Sequence, residues 1–131
     1  MLLATVHYEI LPSDAGSFTG EGGWHQLDGE VRLGFTDAPE IFISWGNKPL
    51  QYSVEIRSAS FFYAGCLSSL QMSAHPYWQS LIGHQLNIAH MDSGHQILSL
   101  SAVSGEVFLS SQYGDGTFQG DCIRVSQRTQ I

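Results

Sequence analysis

Histidine has the widest chemical range of the residue types in this chain, and the sequence contains six of them. His84, His90 and His95 lie close together with Asp92 between them, and imidazole and carboxylate groups are common zinc ligands. Their spacing matches none of the short patterns that bring two zinc ligands onto one helix or one turn. We therefore predict no metal site and no cofactor, and we expect these histidines to lie in solvated turns.

Serine, histidine and aspartate are abundant, but a catalytic triad depends on how its side chains are arranged in space. The chain contains no Gly-x-Ser-x-Gly sequence, the pattern that exposes a nucleophilic serine on a strained turn between a strand and a helix. Asp28 and Glu30 share one face of a predicted strand, where two carboxylates can support acid–base chemistry, yet neighbouring strand acids are usually hydrated surface groups. The segment Gly20–Gly23 lacks the lysine and the helix of a phosphate-binding loop. We predict no catalytic residues and expect a protein that is not an enzyme.

Two aromatic residues, Trp24 and Tyr113, stand among glycines in predicted loops. Exposed aromatic rings near acids are typical of the residues that contribute most to protein interfaces. We therefore predict Trp24, Tyr113 and the neighbouring Asp115 as partner-binding residues. The same two rings, with His25, would line the mouth of a ligand-binding barrel, so that function stays open at this point.

The elements that position these residues are mostly strands, because apolar and polar side chains alternate along much of the chain. Four such segments precede residue 58: Ala4–Leu11, Asp28–Phe35, Glu40–Trp45 and Gln51–Arg57. In the last of them the side chains expected to face inward are Tyr52, Val54 and Ile56. Later strands contribute four inward pairs at spacing two: Leu86/Ile88, Leu98/Leu100, Val107/Leu109 and Ile123/Val125.

One helix interrupts the strands. Ser73–Gly83 combines a proline near its start, apolar residues at helical spacing and a terminal glycine, which predicts a helix of about two to three turns. Ala59–Leu70 has no clean period and is expected to be a loop or an irregular strand, and Pro12–Gly23 a long loop. The whole pattern predicts a single domain over residues 1–131 that is mainly β with one short helix. About eight strands would form an antiparallel sandwich or a partly open barrel.

The formal net charge is −7, and most of it belongs to the first 40 residues, which hold seven acids against the single base Arg32. Four of these acids, Asp28, Glu30, Asp37 and Glu40, are predicted to bind a partner, with Glu30 on the outward face of its strand. A negative field repels nucleic-acid phosphates and anionic lipids, and it accelerates encounter with a basic protein. We therefore expect neither a nucleic acid nor a membrane as the partner.

The two cysteines, Cys66 and Cys122, each precede an apolar residue and are expected to be buried free thiols, with a single disulfide left open. The N-terminus carries no basic segment followed by a long apolar run, so we predict no signal peptide. No apolar run approaches the roughly 20 residues that cross a bilayer. Together these features predict a cytoplasmic protein.

Four segments form a further pattern: Ile41-Phe-Ile-Ser-Trp45, Tyr52-Ser-Val-Glu-Ile56, Trp78-Gln-Ser-Leu-Ile-Gly83 and Gly120-Asp-Cys-Ile-Arg-Val-Ser126. Their strand aromatics, helix-ending glycine and closing strand resemble those of small bacterial immunity-type proteins, which are encoded beside polymorphic or contact-delivered toxins. The resemblance extends over residues 30–126. It implies a cytoplasmic protein that binds and occludes a cognate toxin and has no chemistry of its own.

The sequence thus leads to one hypothesis and two alternatives. The first is an immunity or inhibitor protein that neutralises a cognate protein toxin, such as a cationic nuclease, through an acidic and aromatic surface. The second is a small-ligand-binding or enzymatic β-barrel domain. The third is a structural subunit of a phage or a secretion apparatus. The sequence leaves the oligomeric state open.

Overall fold

The computed structural model of the chain describes residues 1–11, 24–50, 52–63, 65–111 and 123–127. In chain order the elements within these ranges are β1 (Leu3–Ile10), β2 (Trp24–Leu27), β3 (Gly29–Phe35), β4 (Ile41–Gly46), β5 (Ser53–Arg57), β6 (Ser68–Gln71), α1 (Pro76–Gln79), β7 (Asn87–His90), β8 (Ile97–Ala102), β9 (Gly105–Ser110) and β10 (Ile123–Ser126). The predicted loop Pro12–Gly23, the binding candidates Tyr113 and Asp115, and Cys122 lie outside the described residues.

The strands of the described ranges form two antiparallel sheets of five strands each. The first sheet has the order β5-β4-β3-β1-β6, and the second has the order β2-β10-β9-β8-β7. The sheets do not close into a barrel, so the predicted antiparallel sandwich is confirmed and the barrel alternative is not. The strands beyond the expected eight are β2 and β6, each four residues long.

Alternation along the strands sends one side chain in two into the space between the sheets. Val6, Tyr8 and Ile10 of β1 are fully buried there, as the period of two predicted. The second sheet contributes buried pairs that were also predicted: Leu98/Leu100, Val107/Leu109 and Ile123/Val125. Burying an aliphatic side chain stabilises the fold by about 1.5–3 kcal/mol. This core therefore fixes which side chains of each strand face outward.

Strand β5 departs from its predicted pattern. Val54 is buried, but Tyr52 lies before the strand and is half-buried, and Ile56 is exposed. Ile56 lies on the core-facing side of the sheet, opposite the buried Ile43, but the prediction that it is inside is wrong because the residue is 39% exposed. The reason is that β5 is an edge strand, flanked within its sheet by β4 on one side.

The predicted helix Ser73–Gly83 is shorter in the structure, where α1 has a single turn. The turns after it are closed by bonds between residues three apart, such as the one from the Leu81 amide to the Trp78 carbonyl (2.9 Å). Such bonds have poorer geometry than α-helical bonds and rarely continue. Gly83, with φ of 83°, ends the segment as predicted, because glycine adopts a left-handed backbone without strain. Within the described ranges, no helix is long and apolar enough to cross a membrane.

Candidate binding face on the first sheet

The candidate site lies on the outer face of the first sheet, which is turned away from the core. The strand register places two rows of side chains next to each other on this face. The first row takes one residue from each strand: Gln71, His7, Arg32, Phe42 and Arg57. The second row runs across β6, β1 and β3 and contains Ser69, Glu9 and Glu30. A row with two arginines thus lies beside a row with two carboxylates. Both rows point away from the core because the alternate residues of the same strands are buried in it.

Residues 58–63 and 65–67, which we call the strap, lie in the connection from β5 at one edge of this sheet to β6 at the other edge. Glu30 anchors the strap to β3. Its Oε2 accepts a hydrogen bond from the Ser60 hydroxyl (2.6 Å), and its Oε1 accepts one from the Phe61 amide (2.8 Å). The guanidinium of Arg57 lies over the Phe61 ring, 4.0 Å from its centre. These contacts hold the strap against the outer face.

Glu30 is therefore not an exposed acid. Its predicted outward direction is correct, but its predicted place on an accessible binding surface is wrong, because the residue is only 1% exposed. The strap, which follows some thirty residues later in the chain, covers it. A buried carboxylate is costly unless it is hydrogen-bonded, and the two bonds from the strap meet that need.

An open cleft of about 300 Å³ lies between the strap and the first sheet. Three carboxylates line it, those of Glu9, Glu30 and Glu40, together with the one guanidinium of Arg32. Arg32 Nε donates to Glu9 Oε1 (2.8 Å), and Arg32 Nη1 lies 3.4 Å from Glu40 Oε2. Tyr63, on the strap side, is 91% exposed. The lining thus carries a formal charge of −2 and has an aromatic ring at its rim.

The charged groups of the cleft shift the pKa values of Arg32 and of the neighbouring His7. Burial alone would lower the pKa of Arg32, but the hydrogen bond and charge of Glu9 outweigh it, so the pKa is raised. Burial and the positive charge of Arg32 lower the pKa of His7, which keeps that ring neutral at pH 7. Partly exposed ion pairs are worth only about 0–1 kcal/mol. The pairing of Arg32 with Glu9 and Glu40 is therefore weak enough to be rearranged by a partner.

Three other predicted binding residues lie away from the cleft. Trp24 is half-buried at the start of β2 in the second sheet, with the Arg124 guanidinium 4.9 Å from its ring centre. Asp28 is exposed at the bend between β2 and β3. Asp37 is exposed beyond the other end of β3, and its Oδ1 accepts a hydrogen bond from the Leu2 amide (2.7 Å), which lowers the pKa of Asp37. None of these three side chains lines the cleft, although Asp37 lies in the same connection between β3 and β4 as Glu40.

The sequence analysis did not single out Glu9 or Tyr63 as site residues. The alternation along β1 does place Glu9 outward, so the pattern contained that signal. Tyr63 lies in the segment that was expected to be a loop or an irregular strand, and nothing in its spacing indicates that the chain crosses a sheet there.

A second cluster of titratable groups lies in the interior, next to α1. Trp78 Nε1 donates to the Tyr8 hydroxyl (2.8 Å), and that hydroxyl lies 2.8 Å from His25 Nδ1. The His25 ring stacks on Tyr77, with ring centres 4.5 Å apart. Burial, assisted by His75, lowers the pKa of His25 to about 4, and burial raises the pKa of Tyr8. His25 is thus a neutral core residue and does not line a barrel mouth.

The predicted place of the other histidines is correct only in part. His84 is exposed, whereas His90 and His95 are half-buried and stack on each other. The expectation of solvated turns is therefore wrong for these two, because β7 extends as far as His90 and the turn after it folds His95 onto that ring. In the part of the chain that the structure describes, no three His, Cys, Asp or Glu side chains are grouped so as to hold a metal ion.

The function of this chain has to be argued from its geometry. The resemblance to immunity-type proteins stays a prediction, because nothing independent of the sequence pattern bears on it. No family model matches the chain, and no curated protein and no solved structure matches it either.

Proposed function

We propose that the chain is a binding protein that holds a basic segment of another protein against the outer face of its first sheet. The observation that carries this proposal is the charge of the cleft, where Glu9, Glu30 and Glu40 face the single guanidinium of Arg32. Uncompensated negative charge in a partly enclosed site attracts cationic side chains and speeds their approach. The partner that fits is therefore a protein with an exposed arginine or lysine.

Two residues make the cleft accessible to such a side chain. The Glu40 side chain is 48% exposed, and its 3.4 Å contact with Arg32 is long, so the carboxylate can turn to a second cation. Tyr63 places an exposed ring at the rim, and a cation over an aromatic ring gains about 0.5–1 kcal/mol at exposed sites. Such a pair already joins β5 to the strap, where Arg57 lies over Phe61.

A cleft of this volume receives one or two side chains and cannot supply a whole interface. Stable protein complexes bury about 1,200–2,000 Å² in total, with most of the energy in a few central contacts. In this proposal the cleft receives the anchoring side chain, and the exposed side chains of the two rows supply the surrounding contacts. Glu30 and Phe42 are buried and are not among them. In the most specific form of this proposal, the partner is a cognate toxin such as a basic nuclease. Binding then neutralises the toxin by covering the toxin's active site.

The proposal is tested on a partner that is first captured from the native host and then purified. Association rates are measured at about 50 and 200 mM salt for the wild type, Glu40→Lys and Tyr63→Ala. Glu106→Lys is the matched control, because Glu106 is an exposed residue of β9 in the second sheet and its charge changes equally. We expect Glu40→Lys to lower the association rate about tenfold at low salt and Glu106→Lys to leave it almost unchanged.

One result would contradict the docking face, and another would contradict only the toxin-neutralising form of the proposal. Equal effects of Glu40→Lys and Glu106→Lys, with no effect of Tyr63→Ala, would place the interface elsewhere on the molecule. A purified partner whose own activity is unchanged in a stoichiometric complex would remove the toxin-neutralising form and leave the docking face in place.

A further inference from the structure

Three segments from both sheets meet at one place, which we call the joint. It consists of residues 52–54 at the start of β5, residues 91–96 between β7 and β8, and Ser111 after β9. The Ser111 amide donates to the Gln96 carbonyl (3.2 Å), and its hydroxyl donates to the Tyr52 carbonyl. Ser111 therefore links the edge of the first sheet to the turn of the second.

Two further bonds attach β5 directly to that turn. The Val54 amide donates to the His95 carbonyl (2.7 Å), and the Ser53 hydroxyl donates to the Gly94 carbonyl (2.7 Å). Both acceptors are backbone carbonyls of the turn, so the position of the turn decides whether the bonds form. Three of the four bonds named here thus depend on residues 91–96, and the bond from the Ser111 hydroxyl to the Tyr52 carbonyl does not.

Two kinds of contact hold the turn: hydrogen bonds from its own backbone amides to Asp92, and a stack of two imidazole rings. The rings of His90 and His95 lie 3.8 Å apart between their centres and only 9° from parallel. The Nδ1 atom of His90 is buried and has no hydrogen-bond partner. Two neutral rings pack well in this geometry. Two protonated rings would repel each other, and a charged His90 would lack hydrogen bonds at a buried nitrogen.

The backbone of the joint is also strained. Among the non-glycine residues that the structure describes, two have positive φ, namely Tyr52 at 65° and His95 at 55°, and both belong to the joint. A left-handed backbone costs free energy for residues with a Cβ and persists only where surrounding contacts enforce it. Loss of the stack would let His95 relax to an ordinary conformation and withdraw its carbonyl from Val54.

We propose that the His90–His95 stack is an acid-sensitive latch that holds the two sheets together at the joint while both rings are neutral and releases them when the rings take up protons. Strand β5 would then lose its two bonds to the turn at residues 91–96, while the bond from the Ser111 hydroxyl to the Tyr52 carbonyl and the pairing with β4 remain. This inference is independent of the proposed docking face.

The surroundings of the pair set the direction of the response. Burial lowers the pKa of His90 and the neighbouring His95 lowers it further, whereas the Asp92 carboxylate raises it. Asp92 is already engaged, because it accepts hydrogen bonds from two backbone amides of the same turn. The residue opposite His90 on β8 is Leu98, which carries no charge. Since the folded pKa lies below the ordinary value of 6.5, the latch is stable above that pH and weakens as the pH falls.

Amide hydrogen exchange of the intact protein tests the latch at the Val54 amide. Protection is compared at pH 7.5 and 5.5 after correction for the intrinsic exchange rate, with the amides of β1 and β3 as internal reference. We expect Val54 to lose at least about tenfold more protection than the reference amides. In His90→Phe, which keeps a flat ring and removes the proton site, this extra loss disappears. His84→Gln, which alters an exposed histidine outside the joint, keeps it.

A second variant covers the case in which His90→Phe does not fold. His95→Asn removes the other ring, and asparagine tolerates the left-handed backbone at that position. We expect Val54 in this variant to exchange faster already at pH 7.5 and to show no extra loss at pH 5.5. If Val54 follows the reference amides at both pH values in the wild type, or if its extra loss persists in the variants, the stack is ordinary packing and the latch is refuted.

Discussion

His25 makes the folding stability of this chain depend on pH. Burial lowers its pKa to about 4 in the folded protein, whereas an unfolded histidine titrates near 6.5. Below pH 6.5 the unfolded chain therefore binds a proton at His25, whereas His25 in the folded chain stays neutral until the pH approaches 4. The stability that neutral His25 supports is fully present above pH 6.5 and is lost as the pH falls towards 4.

The size of this effect follows from the two pKa values. Each pH unit between them costs about 1.4 kcal/mol, so the unfolding free energy falls by about 2 kcal/mol between pH 7 and pH 5. At pH 4 the loss approaches about 3 kcal/mol. Domains of this size have a total stability of about 5–15 kcal/mol, so the loss is easily measured.

Urea unfolding of the wild type and of His25→Phe at pH 7, 6 and 5 measures this difference. The phenylalanine ring keeps the stack on Tyr77 but loses the hydrogen bond to Tyr8, which costs about 1 kcal/mol at every pH. We expect the variant to lose about 2 kcal/mol less than the wild type from pH 7 to pH 5, because other histidines contribute to both proteins and cancel. His84→Gln should behave like the wild type, since His84 is exposed. Equal losses in the wild type and His25→Phe would refute the reasoning.

Two further substitutions test the attachment of the strap and the close approach of β1 to the first residue of β3. Glu30→Ala removes both acceptors that hold the strap, so we expect the unfolding free energy to fall by about 2–4 kcal/mol. Chymotrypsin should then cleave faster after Phe61 and Tyr63, and an unchanged cleavage rate would mean that other contacts hold the strap. Gly29→Ala places a Cβ onto the carbonyl oxygen of Glu9, where the backbone cannot yield, and should cost about 1–3 kcal/mol in the same urea assay. A variant as stable as the wild type would show that β1 and β3 can separate there.

The sequence predicted a mainly β fold, either a sandwich or a partly open barrel, because its long strands are strongly alternating. The aliphatic residues that β1, β3, β8 and β9 contribute to the core follow from a period of two, which is local information. The burial of Ser99 and Phe108 between them does not follow from that period. The short strands β2 and β6 were not predicted, because neither contains two apolar residues at spacing two. Strand β10 has the same length but does contain such a pair. The helix was predicted too long, because the apolar spacing of Trp78 and Leu81 fits tight three-residue turns as well as an α-helix.

The candidate site could be predicted only in part, because its geometry depends on contacts between distant segments. Glu40 was found as an accessible acid, and the outward direction of Glu30 followed from alternation. That Glu30 is buried could not be predicted, since its cover comes from Ser60 and Phe61, whose segment has no clear period. The grouping of Glu9 with Glu40 around Arg32 required the register of β1 against β3, which the sequence does not reveal.

Because the outer face of the first sheet is separate from the core, the two can accumulate amino-acid substitutions independently. Most side chains of the two rows pack against nothing between the sheets, so they can mutate without disturbing the fold. A lineage could therefore exchange one ligand preference for another while its scaffold stayed constant. Phe42 is one exception, because it is buried on this face. Glu30 is the other, because its buried carboxylate serves both the cleft and the attachment of the strap. Among diverging copies we expect this position to vary least on the face, and positions such as Glu40 and Tyr63 to vary most.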